Sequence, residues 1–125
     1  MQTFLIADDS EAKVRYLKHM LKMIGFEGEV LVTHTTEGAM ELIEQRPDIS
    51  HAFVDYYIPS ANGPAVIKYL HENIPSAKIA LVSSADNEQN SKEAREAGAE
   101  EVLCTSDRAD IVEKNIRDVL DMWLN

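Results

Sequence analysis

The sequence predicts a doubly wound α/β domain. Two observations carry this. Five short runs rich in branched or aromatic residues are too brief for helices, and they alternate with five stretches that can form helices. No repeat, low-complexity tract or Pro- or Gly/Ser-rich linker interrupts them, so residues 1–125 read as one domain. Alternation of this kind implies parallel strands, right-handed crossovers and helices on both faces of the sheet.

The elements follow in order. Thr3–Ala7 is the first strand, and Ser10 can cap a helix whose Val14, Leu17, Leu21 and Ile24 share a face until Gly25. Glu29–Thr33 is the second strand; Thr36 is read as the cap of a helix with Ala39, Leu42 and Ile43 inward, ending before Pro47. Ala52–Asp55 is the third strand, and Pro64 suits the first turn of a helix carrying Val66, Ile67 and Leu70. Lys78–Val82 is the fourth. The helix after it, about Asn87–Ala97, is mostly polar, so it should rest lightly on the sheet before stopping at Gly98. Glu101–Cys104 is the fifth strand, and the last helix aligns Val112, Ile116, Val119, Leu120 and Trp123.

Twelve basic against 22 acidic residues give a formal charge of −10, which argues against unaided binding to nucleic acid or an anionic membrane. The excess is read as a solvated acidic surface, with an acidic docking face as the alternative. The single cysteine, Cys104, permits no internal disulfide and is expected to be a buried, inert thiol. No signal peptide and no membrane-length apolar run is evident, so a cytoplasmic protein is expected.

In such folds ligands bind beyond the carboxyl ends of the strands, which directs attention to Asp8, Asp9, Asp55, Ser83, Ser84, Thr105 and Ser106. Three carboxylates brought together there repel one another unless a cation joins them, and hard oxygen ligands suit Mg²⁺ or Mn²⁺ better than zinc. Asp8 and Asp9 can also be read as acids favouring a helix N-terminus; Asp55 tips the reading toward metal. Asp55 is followed by a loop in which Pro59 pre-sets a turn and Gly63 is expected to supply a positive φ. The stretches Ser60–Asn62 and Ser83–Ser91 are read as mobile loop tips over the site.

The segments ADDS, VDYYIPSANG, LVSSAD and AGAEEVL, in this order and spacing, resemble the receiver domain of two-component response regulators across essentially the whole chain. The resemblance implies a flavodoxin-like sheet of order 2-1-3-4-5 and, with no effector domain following, a stand-alone receiver. It implies that Asp55 accepts a phosphoryl group from a histidine kinase or phosphotransfer protein. By the same resemblance Asp9 ligates Mg²⁺ directly, Asp8 acts largely through water, and Tyr57 lends a backbone carbonyl. Ser83 matches the residue that hydrogen-bonds the phosphoryl group and swings inward, and output is expected at the face of helices four and five.

The resemblance also exposes departures. Counted from Gly98-Ala99, the family's strand-five lysine falls on Thr105, its following proline on Ser106 and its switch aromatic on Val102. Arg108 and Lys78 are the cations that the sequence offers in compensation; Lys78 should lie at the wrong end of its strand, and Arg108 is read as solvated. Thr105 can donate a hydroxyl hydrogen bond but supplies no charge. A pseudo-receiver that binds partners without phosphoryl chemistry is therefore the second reading. A dehalogenase-type phosphohydrolase is disfavoured, because Tyr57 stands where a second aspartate would act.

Tyr57 is a candidate for setting phosphoryl lifetime, with ordinary packing as the alternative. The four histidines are read as surface or structural residues, and Trp123 with Leu124 as an extension of the core stripe.

Overall fold

The computed structural model describes residues 2–84 and 87–125. The strands are β1 (Thr3–Ala7), β2 (Glu29–Thr33), β3 (Ile49–Val54), β4 (Lys78–Ser83) and β5 (Glu101–Cys104). Between and after them run α1 (Glu11–Met23), α2 (Thr36–Gln45), α3 (Gly63–Asn73), α4 (Glu88–Ala97) and α5 (Ala109–Leu124). All strand pairs are parallel, in the order β2-β1-β3-β4-β5. This is the flavodoxin-like arrangement expected, with β1 and β3 adjacent at the point where strand order reverses.

The central strands are apolar on both faces because helices cover both. Leu5, Ala7, Ala52, Val54 and Leu81 pack with α2 and α3 residues such as Ile43, Val66 and Ile67. On the other face Phe4, Ile6, Phe53, Ala80 and Val82 meet Leu17 and Met20 of α1 and Ile116, Leu120 and Trp123 of α5. Each of the larger aliphatic and aromatic side chains among them contributes about 1.5–3 kcal/mol by leaving water. Trp123 is thus core, tilted against Phe4 and Phe53 at centroid distances of 6.1 and 5.8 Å. The polar helix α4 buries only Asn90 and Ala94, as its thin apolar stripe implies.

Several local expectations change. Thr35 rather than Thr36 caps α2, its hydroxyl oxygen accepting from Gly38 N at 3.0 Å. Thr36 instead opens the helix, and its amide and hydroxyl both point to the carbonyl of Pro59. β3 begins at Ile49, so His51 lies within the strand, buried and stacked on Phe4 at 5.4 Å. Cys104 is only half-buried, with its Sγ 3.0 Å from Ser106 Oγ.

The Ser83–Ser91 stretch is mostly regular structure. Ser83 ends β4, Asn87 caps α4 and Glu88–Ser91 belong to that helix, while Ala85 and Asp86 lie outside the described residues. Among the described residues no helix is long and apolar enough to cross a membrane.

Candidate functional site at the strand ends

Backbone hydrogen bonds that continue the ladder one step past the strands set the site's geometry. Asp8 N donates to Thr33 O at 3.0 Å, Asp55 N to Ala7 O at 2.9 Å and Thr105 N to Ser83 O at 3.0 Å. These bonds hold Asp8, Asp55 and Thr105 at one rim of the sheet, with Ser83 buried at the end of β4. Oxygens of Asp8, Asp9 and Asp55 lie within 4.8 Å of one another, and this is the one such acidic group among the described residues. Asp8 and Asp55 are buried and Asp9 is exposed, so the cluster opens to solvent on the Asp9 side.

The loop after β3 fixes Asp55. Tyr56 N donates to its Oδ1 at 2.8 Å, and Gly63 N returns to Tyr56 O at 2.7 Å. Gly63 is required here by proximity rather than by a positive φ: a Cβ would stand 2.0 Å from the Asp55 carbonyl oxygen. Ser60 takes the positive φ instead, at 88°. Asn62 caps α3 by accepting from Ala65 N at 3.0 Å. Tyr57 projects into solvent, its ring edge-on to Tyr56 at 4.8 Å, which sets aside ordinary core packing for this side chain.

Asp8 also organises the start of α1. Its Oδ1 accepts from Ser10 N at 2.9 Å, and Ser10 Oγ in turn caps the helix by accepting from Lys13 N at 3.2 Å. Burial pushes the Asp8 carboxyl above the ordinary carboxylate range, against the lowering effects of Lys13 and the Ser10 amide.

Lys13 is the cation at the centre of this cluster. Its Nζ lies 2.9 Å from Asp8 Oδ2 and 3.1 Å from Asp55 Oδ1, and donates to Val82 O at 2.9 Å. Asp8 Oδ2 is fully buried, and the Lys13 ammonium is the charge that faces it.

The family model for the response regulator receiver domain matches residues 4–115. The chain belongs to the response regulator receiver domains. A cyclic di-GMP phosphodiesterase of Thermotoga maritima is 29% identical over 101 residues, 81% of this chain; the chain spans 26% of that relative's length. The Mn²⁺-bound form of the response regulator Rcp1 superposes with a TM-score of 0.86 at 18% identity, covering 100% of this chain and 96% of its own. The phosphorylated cyanobacterial phytochrome response regulator RcpA gives a TM-score of 0.87 at 14% identity, with coverages of 98% and 94%. At these identities the two structures speak for the fold.

Against the resemblance, the receiver's departures now have positions. Thr105 is half-buried and lines an open groove of about 520 Å³ together with Ser10, Lys13, Tyr16, Ser84 and Val112. Val102 is half-buried against the α3-side core. Neither cation suggested by the sequence reaches the acids. Arg108 is largely exposed and pairs with Asp110 at 3.3 Å, while Lys78 starts β4 at the far end of the strand.

Lys13 lies on α1, far in the chain from Thr105, so spacing along β4 and β5 does not point to it. A signal was nevertheless present. Helical side chains tilt toward the N-terminus, so a lysine three residues after the cap overhangs the strand ends that precede it.

Proposed function

We propose that this receiver domain takes a phosphoryl group onto Asp55 from a histidine kinase or a phosphotransfer protein, and that the modified domain binds its output partner differently. The observation that carries the reading is the Asp55 carboxylate, held at the end of β3 by Tyr56 N–H, with two further acids and one ammonium around it. The phosphorylated state named for RcpA and the metal named for Rcp1 support it by analogy.

A divalent ion fits the residues present. Asp8, Asp9 and Asp55 offer carboxylate oxygens close enough to share one, and Asp9 is open to solvent. We assign Mg²⁺, with Mn²⁺ as the substitute, to Asp9 and Asp55 directly, to Asp8 largely through water and to the Tyr57 carbonyl. When bound, the ion offsets the negative charge shared by acceptor and phosphoryl group.

The chain's own groups do the positioning. Asp55 Oδ1 is held by Tyr56 N–H and faces the Lys13 ammonium, so Oδ2 is the oxygen assigned to attack phosphorus. As the new O–P bond forms, the P–N bond of a phosphohistidine, or the P–O bond of an acyl phosphate, breaks and its electron pair leaves with the donor. Ser83 is assigned to hydrogen-bond the transferred group and Thr105 to add a hydroxyl at the groove's edge.

Output is assigned to the face of α4, β5 and α5. Tyr56, next to the acceptor, donates its hydroxyl to Glu93 Oε2 on α4 at 3.0 Å and so links the two regions where Val102 has no ring to move. A cytoplasmic location belongs to the same reading.

Intact mass after incubation with an acyl phosphate tests the proposal. The wild type should gain the mass of one phosphoryl group with Mg²⁺ and none with a chelator, and Asp55→Ala should gain none. A wild type without the adduct would favour the pseudo-receiver.

A further inference from the structure

We infer that Lys13, reaching in from α1, supplies the fixed positive charge that receivers ordinarily draw from strand five, steadying the Asp55 carboxylate and meeting the incoming phosphoryl oxygens. The inference rests on Asp55 being the phosphoacceptor.

Four observations converge on it. First, the ammonium has partners at the ends of three adjacent strands: Asp8 after β1, Asp55 after β3 and the Val82 carbonyl of β4. A lysine merely covering surface would not be gathered in this way; here the side chain is only 15% exposed. Second, Lys13 and Thr105 line the same groove, so a side chain from either position approaches the same space.

Third, the ammonium pairs with Asp8 and Asp55 but not with exposed Asp9. Its Val82 contact ties it to β4 as well, so the solvent-facing Asp9 is the acid of the cluster that the ammonium does not pair with. Fourth, a lysine in the first turn opposes the helix dipole. Its place is explained by the carboxylates it meets rather than by any benefit to α1.

Lys13 transfers no proton in this scheme. The Asp55 oxygen forms its bond to phosphorus, the donor's P–O or P–N bond breaks with the pair leaving on the donor, and the ammonium remains charged beside the transferred group. This is stabilisation of developing charge by a preorganised cation.

The test uses the whole chain with Lys13→Met, Thr105→Lys and the double variant. Two quantities are read: the rate of phosphoryl uptake from an acyl phosphate at saturating Mg²⁺, and Mg²⁺ affinity by calorimetry with no donor present. Lys13→Met should slow uptake about ten- to a hundredfold. It should bind Mg²⁺ several-fold more tightly, because a neighbouring like charge is gone. Thr105→Lys in the Lys13→Met background should restore most of the rate.

Uptake by Lys13→Met at the wild-type rate would overturn the inference, as would failure of Thr105→Lys to rescue a variant that still binds Mg²⁺. A wild type that takes up no phosphoryl group would instead overturn the acceptor reading. The calorimetry then judges Lys13 alone: unchanged Mg²⁺ affinity in Lys13→Met would remove it from the site, and tighter binding would keep it there.

Discussion

The Lys13 ammonium lies 3.1 Å from Asp55 Oδ1, although 42 positions separate the two residues in the chain (55 − 13) and they sit on different elements. This contact places a cation beside the proposed acceptor without the strand-five lysine. It also joins the start of α1 to the acidic cluster, through a chain from Asp8 to Ser10 to the Lys13 amide.

Gly63→Ala should disturb the acceptor without touching its side chain. The added Cβ would lie 2.0 Å from the Asp55 carbonyl oxygen, and its nearest neighbours are backbone atoms that cannot rotate away. A cost of about 1–3 kcal/mol is expected from this overpacking, read by urea denaturation. Phosphoryl uptake should slow as well, since Asp55 shifts with its backbone.

The stability of the domain should weaken as pH falls below about 6.5, partly through His51. Burial holds the His51 imidazole below its ordinary pKa, opposed by a hydrogen bond that the ring donates to the Trp123 backbone carbonyl and assisted by the charge of Lys78. A depressed folded-state pKa means that the unfolded chain takes up the proton first on acidification. The contribution is therefore complete above the unfolded pKa and is lost as pH falls toward and through the folded one. Denaturation at pH 7.5 and 5.5 should show a smaller pH-dependent loss in His51→Leu than in the wild type.

Trp123 separates packing from polar satisfaction. Its side chain is buried among Phe4, His51 and Phe53, but its indole Nε1 has no hydrogen-bond partner in the structure. Trp123→Ala should cost about 3–5 kcal/mol as the ring is lost from the core. Trp123→Phe should cost less than half as much, because it also removes a buried donor without an acceptor. Equal losses in the two variants would show that the indole nitrogen is satisfied in solution.

Tyr57→Ala should leave stability within about 0.5 kcal/mol of wild type, since the ring stands in solvent. The lifetime of the aspartyl phosphate should nevertheless shorten, because the ring stands two residues from Asp55 where it can screen the adduct from water. An unchanged hydrolysis rate would remove Tyr57 from that role.

The sheet was legible because its information is local. Runs such as FLIA and ALV are apolar, short and bounded by turns, and the acids that end two of them follow from the same pattern. The errors cluster where a neighbour in space decides. Thr36 is drawn to the Pro59 carbonyl, which leaves the cap to Thr35. Gly63 is excluded from carrying a side chain by Asp55 rather than by its own φ. Lys13 points back across the strand ends, a direction that helix geometry implies but that spacing along β5 does not reveal.

The central claim is that the site is complete without a lysine on strand five. Intact mass after acyl-phosphate treatment in Mg²⁺, comparing the wild type with the single variant Thr105→Lys, tests it most directly. The account predicts an Asp55-dependent phosphoryl adduct on the wild type and little or no gain from Thr105→Lys, because Lys13 already supplies the charge. A wild type that stays unmodified while Thr105→Lys acquires the adduct would contradict it.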